Sequence, residues 1–287
     1  MIELITVVFE KEIPLIKIQA NSIAQYIDSG DIERITVVVN DVDAVCELID
    51  VAWYKQNAHK VRIIARSQWG YTNRMTGWEG QQLCKLLAAS ESVSQWSMVL
   101  DAKTWFVKRL NLALLFDEAE RPRVGLSTVN EHFVTGVKFI EQLYNVDLAQ
   151  VIGPSGVPFM FHTETVQALV NSVADFAEFF QTNVRHPNFI SEFHLYSGYF
   201  LWRHKDYSKH YNPKSYYSYR NISEWEADNF DFIFGEVSGA YRPLTASVHI
   251  RAYKKLSPTQ VAQWCKFLYD SKIIDNEQET LALLNTL

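Results

Sequence analysis

Continuous apolar runs and helical stripes alternate through the first hundred positions of the chain. Leu4 to Phe9 is an unbroken apolar run rich in β-branched residues, the pattern of a strand buried on both faces. Pro14 suits a first helical turn, and Leu15, Ile18, Ser22, Ile23, Tyr26 and Ile27 then form a stripe that ends near Gly30. Ile35 to Val39 predicts a second buried strand, which ends in the polar pair Asn40-Asp41. Val45, Leu48, Ile49 and Ala52 predict a helix, and Val61 to Ala65 a third strand. Strand–helix–strand–helix–strand order implies a parallel sheet with right-handed crossovers. A glycine- and aromatic-bearing loop, 66–80, leads to a helix over Gln81 to Ala89 and a short strand, Met98 to Leu100. That strand delivers Asp101 to its carboxyl end, where ligands of open α/β sheets bind. Asp101 has two readings, a site residue or the cap of the next turn.

Composition narrows the class. The chain has 287 residues, 48% hydrophobic and 21% charged, which is a folded protein with a substantial core. No apolar run reaches the roughly 18 residues of a membrane span. The first residues enter a strand-like run without a basic start or cleavage site, so no signal peptide is expected. Cys46, Cys84 and Cys265 have neither disulfide nor zinc spacing and read as core, which fits a cytoplasmic location. A net charge of −6 speaks against nucleic acid as the main partner. No Gly-x-Gly-x-x-Gly follows the first strand and no Walker sequence occurs, which weakens NAD-type and P-loop readings.

Gly77-Trp78, Gln81-Gln82, Lys85-Leu86 and Ala89, followed by Val99-Leu100-Asp101-Ala102-Lys103, resemble the nucleotide-binding half of GT-A-type glycosyltransferases. The likeness is greatest to uncharacterised bacterial and phage glycosyltransferase-like proteins. Pro158-Phe159, Ser191 to Tyr196 and Val248-His249 resemble downstream segments of that set. The resemblance implies an α/β fold: a single GT-A-like (Rossmann-like) domain with a mostly parallel central sheet flanked by helices. Its nucleotide-binding half is 1–110 and its acceptor-binding half 111–287. It implies sugar transfer from a nucleotide-diphosphate sugar to a glycan or small-molecule acceptor. The alternative is a catalytically inactive nucleotide- or glycan-binding scaffold of the same fold.

On this resemblance Phe9, Asp41, Arg66, Arg74, Gln82, Lys103 and His249 fall on the donor side. Asp101 contacts ribose, sugar or metal, and Lys103, Arg74 or His249 stabilise the leaving diphosphate. Metal-dependent GT-A enzymes carry Asp-x-Asp at this strand end, whereas this chain has Asp101-Ala102-Lys103. Two carboxylates hold Mn²⁺ or Mg²⁺ against a diphosphate, and a lysine supplies positive charge directly. Asp101 and His249 therefore stand as metal ligands in one reading, and metal independence is the other. His249 also reads as a satisfied core histidine.

Farther along, Thr163 predicts an N-cap for a helix reaching about Phe180. Ile190 to Trp202 is apolar on nearly every side and predicts a buried helix, on which Glu192, Tyr196 and Tyr199 share a face. A carboxylate in that setting must be paired or have its pKa raised. Glu192 is thus a candidate base or sugar contact, with Tyr196 and Tyr199 on the acceptor side, or else a structural ion pair. Arg203 to Arg220 interleaves tyrosines with basic residues, as a loop over an acceptor pocket, a solvated loop or, against the acidic net charge, a nucleic-acid-stacking segment, and the acidic segment 224–236 is placed to pair with it. Ala246 to Ile250 predicts a short strand, Ser257-Pro258 opens a closing helix, and 275–287 predicts a short amphipathic one.

Overall fold

The computed structural model describes all residues except 71–74, 76, 154, 155, 215–218 and 285–287. The first strand, β1 (Ile2–Val8), is buried at every position, including Glu3, whose carboxylate pairs with Arg34 at 3.0 Å and accepts from the Thr36 hydroxyl. Helix α1 (Ile13–Tyr26) follows, then β2 (Ile32–Val39). The predicted helix through Val45 and Ala52 is absent. The segment folds as 3-10 turns, Asp43–Leu48 and Val51–Lys60, interrupted where Lys55 adopts φ 50°. Next come β3 (Val61–Ala65), α2 (Gly77–Ser90), β4 (Trp96–Asp101) and β5 (Thr104–Phe106).

The central sheet has five strands in the order β3-β2-β1-β4, completed by β8 (introduced below). β1, β2, β3 and β4 are parallel, and Val7 lies opposite Asp101. From β1 the chain winds outward through β2 to β3, then returns past β1 to β4. Right-handed crossovers running in opposite directions place α1 and α2 on opposite faces of the sheet. The two helices have separate neighbours: α1 lies against the 3-10 segment and β5, and α2 against β1 and later helices. The strand order reverses between β1 and β4, and in open α/β sheets ligands bind outside the carboxyl ends of the strands at such a point.

The second part of the chain covers and extends this sheet. It begins with α3 (Leu112–Leu115), β6 (Leu126–Ser127), α4 (Val134–Tyr144), β7 (Val151–Ile152) and β8 (Phe159–His162). β8 is antiparallel to β4 and pairs His162 with Trp96. The predicted helix from Thr163 to Phe180 is two helices, α5 (Thr163–Asn171) and α6 (Phe176–Val184). Asp175 starts the second by accepting a hydrogen bond from the Glu178 amide. His162, not Thr163, occupies the cap position of α5, and the Thr163 hydroxyl donates instead to the Ser94 carbonyl.

Helix α7 (Glu192–His204) is buried along most of its length, as expected from its apolar circumference. It crosses α4 closely at Gly198, where an added Cβ would lie 2.2 Å from an Ile140 methyl. The remaining elements are β9 (Tyr219–Ile222), α8 (Phe230–Ser238), β10 (Thr245–Val248), α9 (Ile250–Tyr253), α10 (Pro258–Asp270) and α11 (Glu277–Leu284). β10 lies antiparallel to β5, with Ser247 opposite Thr104, and parallel to β9. This register carries His249 alongside the turn that follows Asp101. Among the described residues no helix is long and apolar enough to cross a membrane.

Candidate functional site

The crevice between β1 and β4 collects charge. Asp101 ends β4, and both of its carboxylate oxygens are engaged. Oδ1 lies 2.9 Å from Lys85 Nζ and accepts from Gln81 Nε2 at 3.1 Å, and Oδ2 lies 2.6 Å from Lys103 Nζ. Lys85 and Gln81 come from the buried face of α2. Lys85 also reaches Glu192 Oε1 at 3.3 Å, so one ammonium is shared by two carboxylates. It lies 5.3 Å from the centre of the Phe193 ring. Lys85 and Glu192 are only 5% and 3% exposed, whereas the Asp101 and Lys103 side chains keep 16% and 15%. A ligand entering the crevice therefore meets Asp101 and Lys103 first, with Lys85 and Glu192 behind them.

The mounting of this group is covalent on one side and hydrogen-bonded on the other. Gln19, buried on α1, donates to the carbonyls of Asp101 and Thr104 at 2.6 and 2.8 Å, and accepts from Thr6 on β1. The turn between β4 and β5 is thereby tied to the strand beside it. Gln82 accepts from the Glu192 amide, one of the orphan donors at the start of α7. Ser191 caps the same helix through the His194 amide.

Three carboxyls here are pushed in different directions. Burial raises the pKa of Asp101, but Lys103 and Lys85 outweigh it and hold the carboxyl well below the usual range. Burial raises Glu192, and Lys85 offsets it only in part. Burial also raises Glu12, which lies just beyond β1 within the fields of Lys103 and Asp101 and accepts from the Phe9 amide. Burial disfavours the Lys85 ammonium, yet Asp101 and Glu192 push its pKa up to about 12. Carboxyls whose environments separate their pKa values in this way can divide acid–base and electrostatic roles.

The structure brings several of the expected residues to this end of the sheet. Phe9 and Asp41 follow β1 and β2, and Asp41 accepts from the Glu10 and Val42 amides. His249 is half-buried, and burial followed by Lys103 and Arg251 lowers its pKa, while Asp101 raises it. Its Nδ1 accepts from the Arg251 amide as the cap of α9. Arg66 is buried and donates to Asn40 Oδ1 and the Met75 carbonyl, so it braces the β2 and β3 ends. Gln82 serves α7 as described. Arg74 lies outside the described residues.

Three expectations change. Tyr196 is wholly buried: its hydroxyl accepts from the His162 amide and lies 2.7 Å from the Tyr211 hydroxyl, so it serves the β8–α7 core rather than an acceptor. Tyr199 is buried against Tyr144 and Trp202. Glu192 is sealed behind Lys85 and has no open face toward an acceptor hydroxyl. Helical spacing placed these residues on one side of α7 but did not specify what covers it.

Asp101 and His249 do not form a fitting donor set for Mn²⁺ or Mg²⁺. These ions take oxygen ligands, often carboxylates, and both oxygens of Asp101 already face ammonium groups. A divalent ion there would lie against two cations with one carboxylate to hold it. Lys103 stands where the second carboxylate of Asp-x-Asp would be, and it reaches Asp101 itself.

Gln19 and Glu12 join the candidate site without having been singled out in the sequence, and Lys85 and Gln81, quoted only as part of the motif resemblance, had been given no role. The available signal was polarity on buried helical faces: Lys85 lies among Leu83, Cys84 and Leu86, and Gln19 between Ile18 and Ala20.

Among the described residues a hollow of about 680 Å³ lies between β9 and α8, lined by Tyr219, Asn221, Glu226, Asn229 and Phe232. Arg220 and Glu236 pair across it at 2.6 and 2.8 Å, which confirms that the basic and acidic segments meet. The hollow does not include Asp101. It adjoins His249 through Ile222, whose carbonyl accepts from the His249 amide.

Helix α7 also carries a group that senses pH. His194 is buried, its Nδ1 is 2.6 Å from Ser191 Oγ, and its Nε2 has no partner among the described residues. Burial pulls its pKa down to about 4, against roughly 6.5 in an unfolded chain. The unfolded chain binds the extra proton first, so this contribution to stability is complete above about pH 6.5 and lost as the pH falls toward 4. Urea unfolding between pH 7 and 4 is expected to show this decline, and His194→Leu is expected to make it shallower by one group's share, since burial pulls His162 and His204 down to about 4 as well. An unchanged slope in the variant would assign the acid sensitivity elsewhere.

Three solved structures align with most or all of the chain at low identity. The bifunctional glycosyltransferase WbbM aligns over 100% of this chain and 52% of its own, at 9% identity and a TM-score of 0.49. The chain thus spans about half of WbbM. The galactosyltransferase LgtC, solved with donor and acceptor sugar analogues, aligns over 98% of this chain and 100% of its own, at 8% identity and a TM-score of 0.46. The glycosyltransferase GlyE of Streptococcus pneumoniae TIGR4 aligns over 100% and 63%, at 11% identity and a TM-score of 0.46. No curated protein matches in sequence. A family model covers residues 5–268, nearly the whole chain, and the chain therefore belongs to the family described as "Family of unknown function (DUF6492)".

Proposed function

We propose that the protein is a glycosyltransferase whose nucleotide-diphosphate sugar lies over the carboxyl ends of β1, β2 and β4. The observation that carries this reading is the position of Asp101 and Lys103. They are a partly exposed carboxylate–ammonium pair at the point where the strand order reverses, backed by the buried Lys85. The motif resemblance at Gly77 to Lys103 points the same way. Residues 1–110 hold the donor in this reading, and residues 111–287 supply the acceptor side.

In the reaction the bond between the anomeric carbon and the β-phosphate oxygen breaks, and the acceptor oxygen bonds to that carbon and gives up its proton. The diphosphate leaves with added negative charge. Lys103 releases Asp101 and turns to the diphosphate, while Lys85 keeps the freed carboxylate neutralised from behind. A preorganised cation of this kind does what a metal ion does in Asp-x-Asp enzymes. A carboxylate has about four acceptor positions, so Asp101 has room for a ribose or sugar hydroxyl beside its present partners. Glu12, its pKa raised and its neighbours Lys103 and Asp101, is the better-placed proton acceptor. Glu192 positions Lys85. His249 flanks the leaving group, and the hollow at β9 and α8 receives the acceptor against Tyr219 and Phe232.

A second reading has support from one observation: Asp101 and Lys103 neutralise each other, which suits a nucleotide- or glycan-binding scaffold without turnover. Thermal shift with nucleoside diphosphates and nucleotide sugars tests both. A ligand at a hundred times its dissociation constant adds about 2.7 kcal/mol of stability. Stabilisation that disappears in Asp101→Ala supports the site, and release of free sugar from the donor separates an enzyme from a scaffold. If no nucleotide shifts the midpoint, the donor site is wrong.

A further inference from the structure

The opposite end of β4 carries a second polar group that the proposed reaction does not use. Trp96 opens β4 and pairs with His162, the last residue of β8. Asp101 closes the same strand, so His162 lies roughly 16 Å from the candidate reaction centre along it. His204, at the end of α7, and His210, just beyond it, meet His162 there. One ligand nitrogen from each ring lies within 4.8 Å of the other two. The His162 and His210 rings stack at 4.3 Å, and His204 meets His210 edge-on at 4.5 Å.

The rings are also oriented. Thr165 Oγ1 lies 2.9 Å from His162 Nδ1 and 2.9 Å from His204 Nε2, so one hydroxyl tethers both rings. Fixing one nitrogen through an oxygen partner is how metal-bound histidines are commonly held. Neutral imidazole is the ligating form. Glu164, the adjacent acid, has a 71% exposed side chain and pairs with Arg203, so the donor set is all nitrogen.

The geometry points to a Zn²⁺-type transition-metal site formed by His162, His204 and His210 at the amino end of β4. Imidazole donors select zinc, copper or nickel over magnesium and calcium. Two nitrogens on one zinc lie about 3.3 Å apart, so the rings must close by up to about 1.5 Å. His204 and His210 are half-buried and next to turns, where small rotations suffice. Three protein ligands leave a fourth position for water. The ion joins β8, the last turn of α7 and the segment after it, and does not take part in sugar transfer. This inference does not depend on the proposed transferase activity.

Tag-free, metal-stripped full chain titrated with zinc sulfate tests it, with calorimetry for stoichiometry and Co²⁺ absorption for geometry. The expected result is one ion per chain, a tetrahedral cobalt spectrum and a higher melting midpoint. His204→Gln and His210→Gln are each expected to weaken binding by at least about tenfold, and His249→Gln to leave it unchanged. Absence of binding, or binding undiminished in both cluster variants, overturns the assignment. Should the variants misfold, imidazole ¹⁵N shifts of the wild-type chain decide. Zinc must move His162, His204 and His210, and movement confined to other histidines overturns it.

Discussion

Replacing Lys85 by methionine is expected to destabilise the protein by about 3–5 kcal/mol, the typical cost of removing one partner from a buried ion pair. The substitution leaves Asp101 and Glu192 on either side of an apolar side chain, with only Lys103 to offset them. The volume is nearly conserved, so the loss is electrostatic rather than a cavity effect. The double variant Lys85→Met/Glu192→Gln removes a charge of each sign and is expected to recover part of the loss. Urea midpoints of the two single variants and the double variant give the coupling directly. If Lys85→Met unfolds at the wild-type midpoint, the shared ammonium contributes nothing to the fold.

Lys103→Ala is expected to lower turnover by about 10²–10³-fold, the scale of losing one preorganised donor to developing negative charge, or roughly 2.7–4 kcal/mol. Stability should change less, since Asp101 keeps Lys85 and Gln81 and the Lys103 side chain is partly in water. The measurement is transfer or donor hydrolysis, with Mg²⁺ and Mn²⁺ added or left out. The proposed mechanism has wild-type activity independent of either ion and Lys103→Ala inactive in both conditions. Rescue of the variant by a divalent ion would place that ion where the ammonium now stands. Unchanged turnover in Lys103→Ala would remove the residue from the reaction.

The strands were legible because a strand buried on both faces is mostly apolar: β1, β2 and β4 each contain one of the apolar runs, although β1 and β2 extend beyond theirs to Glu3, Glu33 and Arg34. Asp101 was legible as the polar residue ending such a run. The segment from Val45 to Ala52 misled because apolar residues three and four apart satisfy a 3-10 turn as well as an α-helix. The break between α5 and α6 was written in Asp175 and Glu178, a helix-start pattern within a continuing apolar stripe. Glu192 had to be paired, and that much followed from its surroundings. Its partner stands 107 positions earlier in the chain, and no local pattern conveys contact at that separation. Tyr196 and Tyr199 failed for the same reason: spacing defines a helical face, whereas the packing of β8, Tyr211 and α4 decides whether that face sees solvent.

The sharing of Lys85 between Asp101 and Glu192 bears on modularity. One carboxylate, at position 101, belongs to the central sheet and the other, at position 192, to a helix of the second half of the chain. A fragment ending near residue 110 would keep the lysine and lose half of its counter-charge, together with the helix that encloses it. The first 110 residues and the remainder therefore cannot be cut apart or exchanged between relatives as independent pieces unless this triad is transferred whole. Exchanges made upstream of residue 85 or downstream of residue 192 leave the triad within a single parent, and those are the junctions at which chimeras should survive.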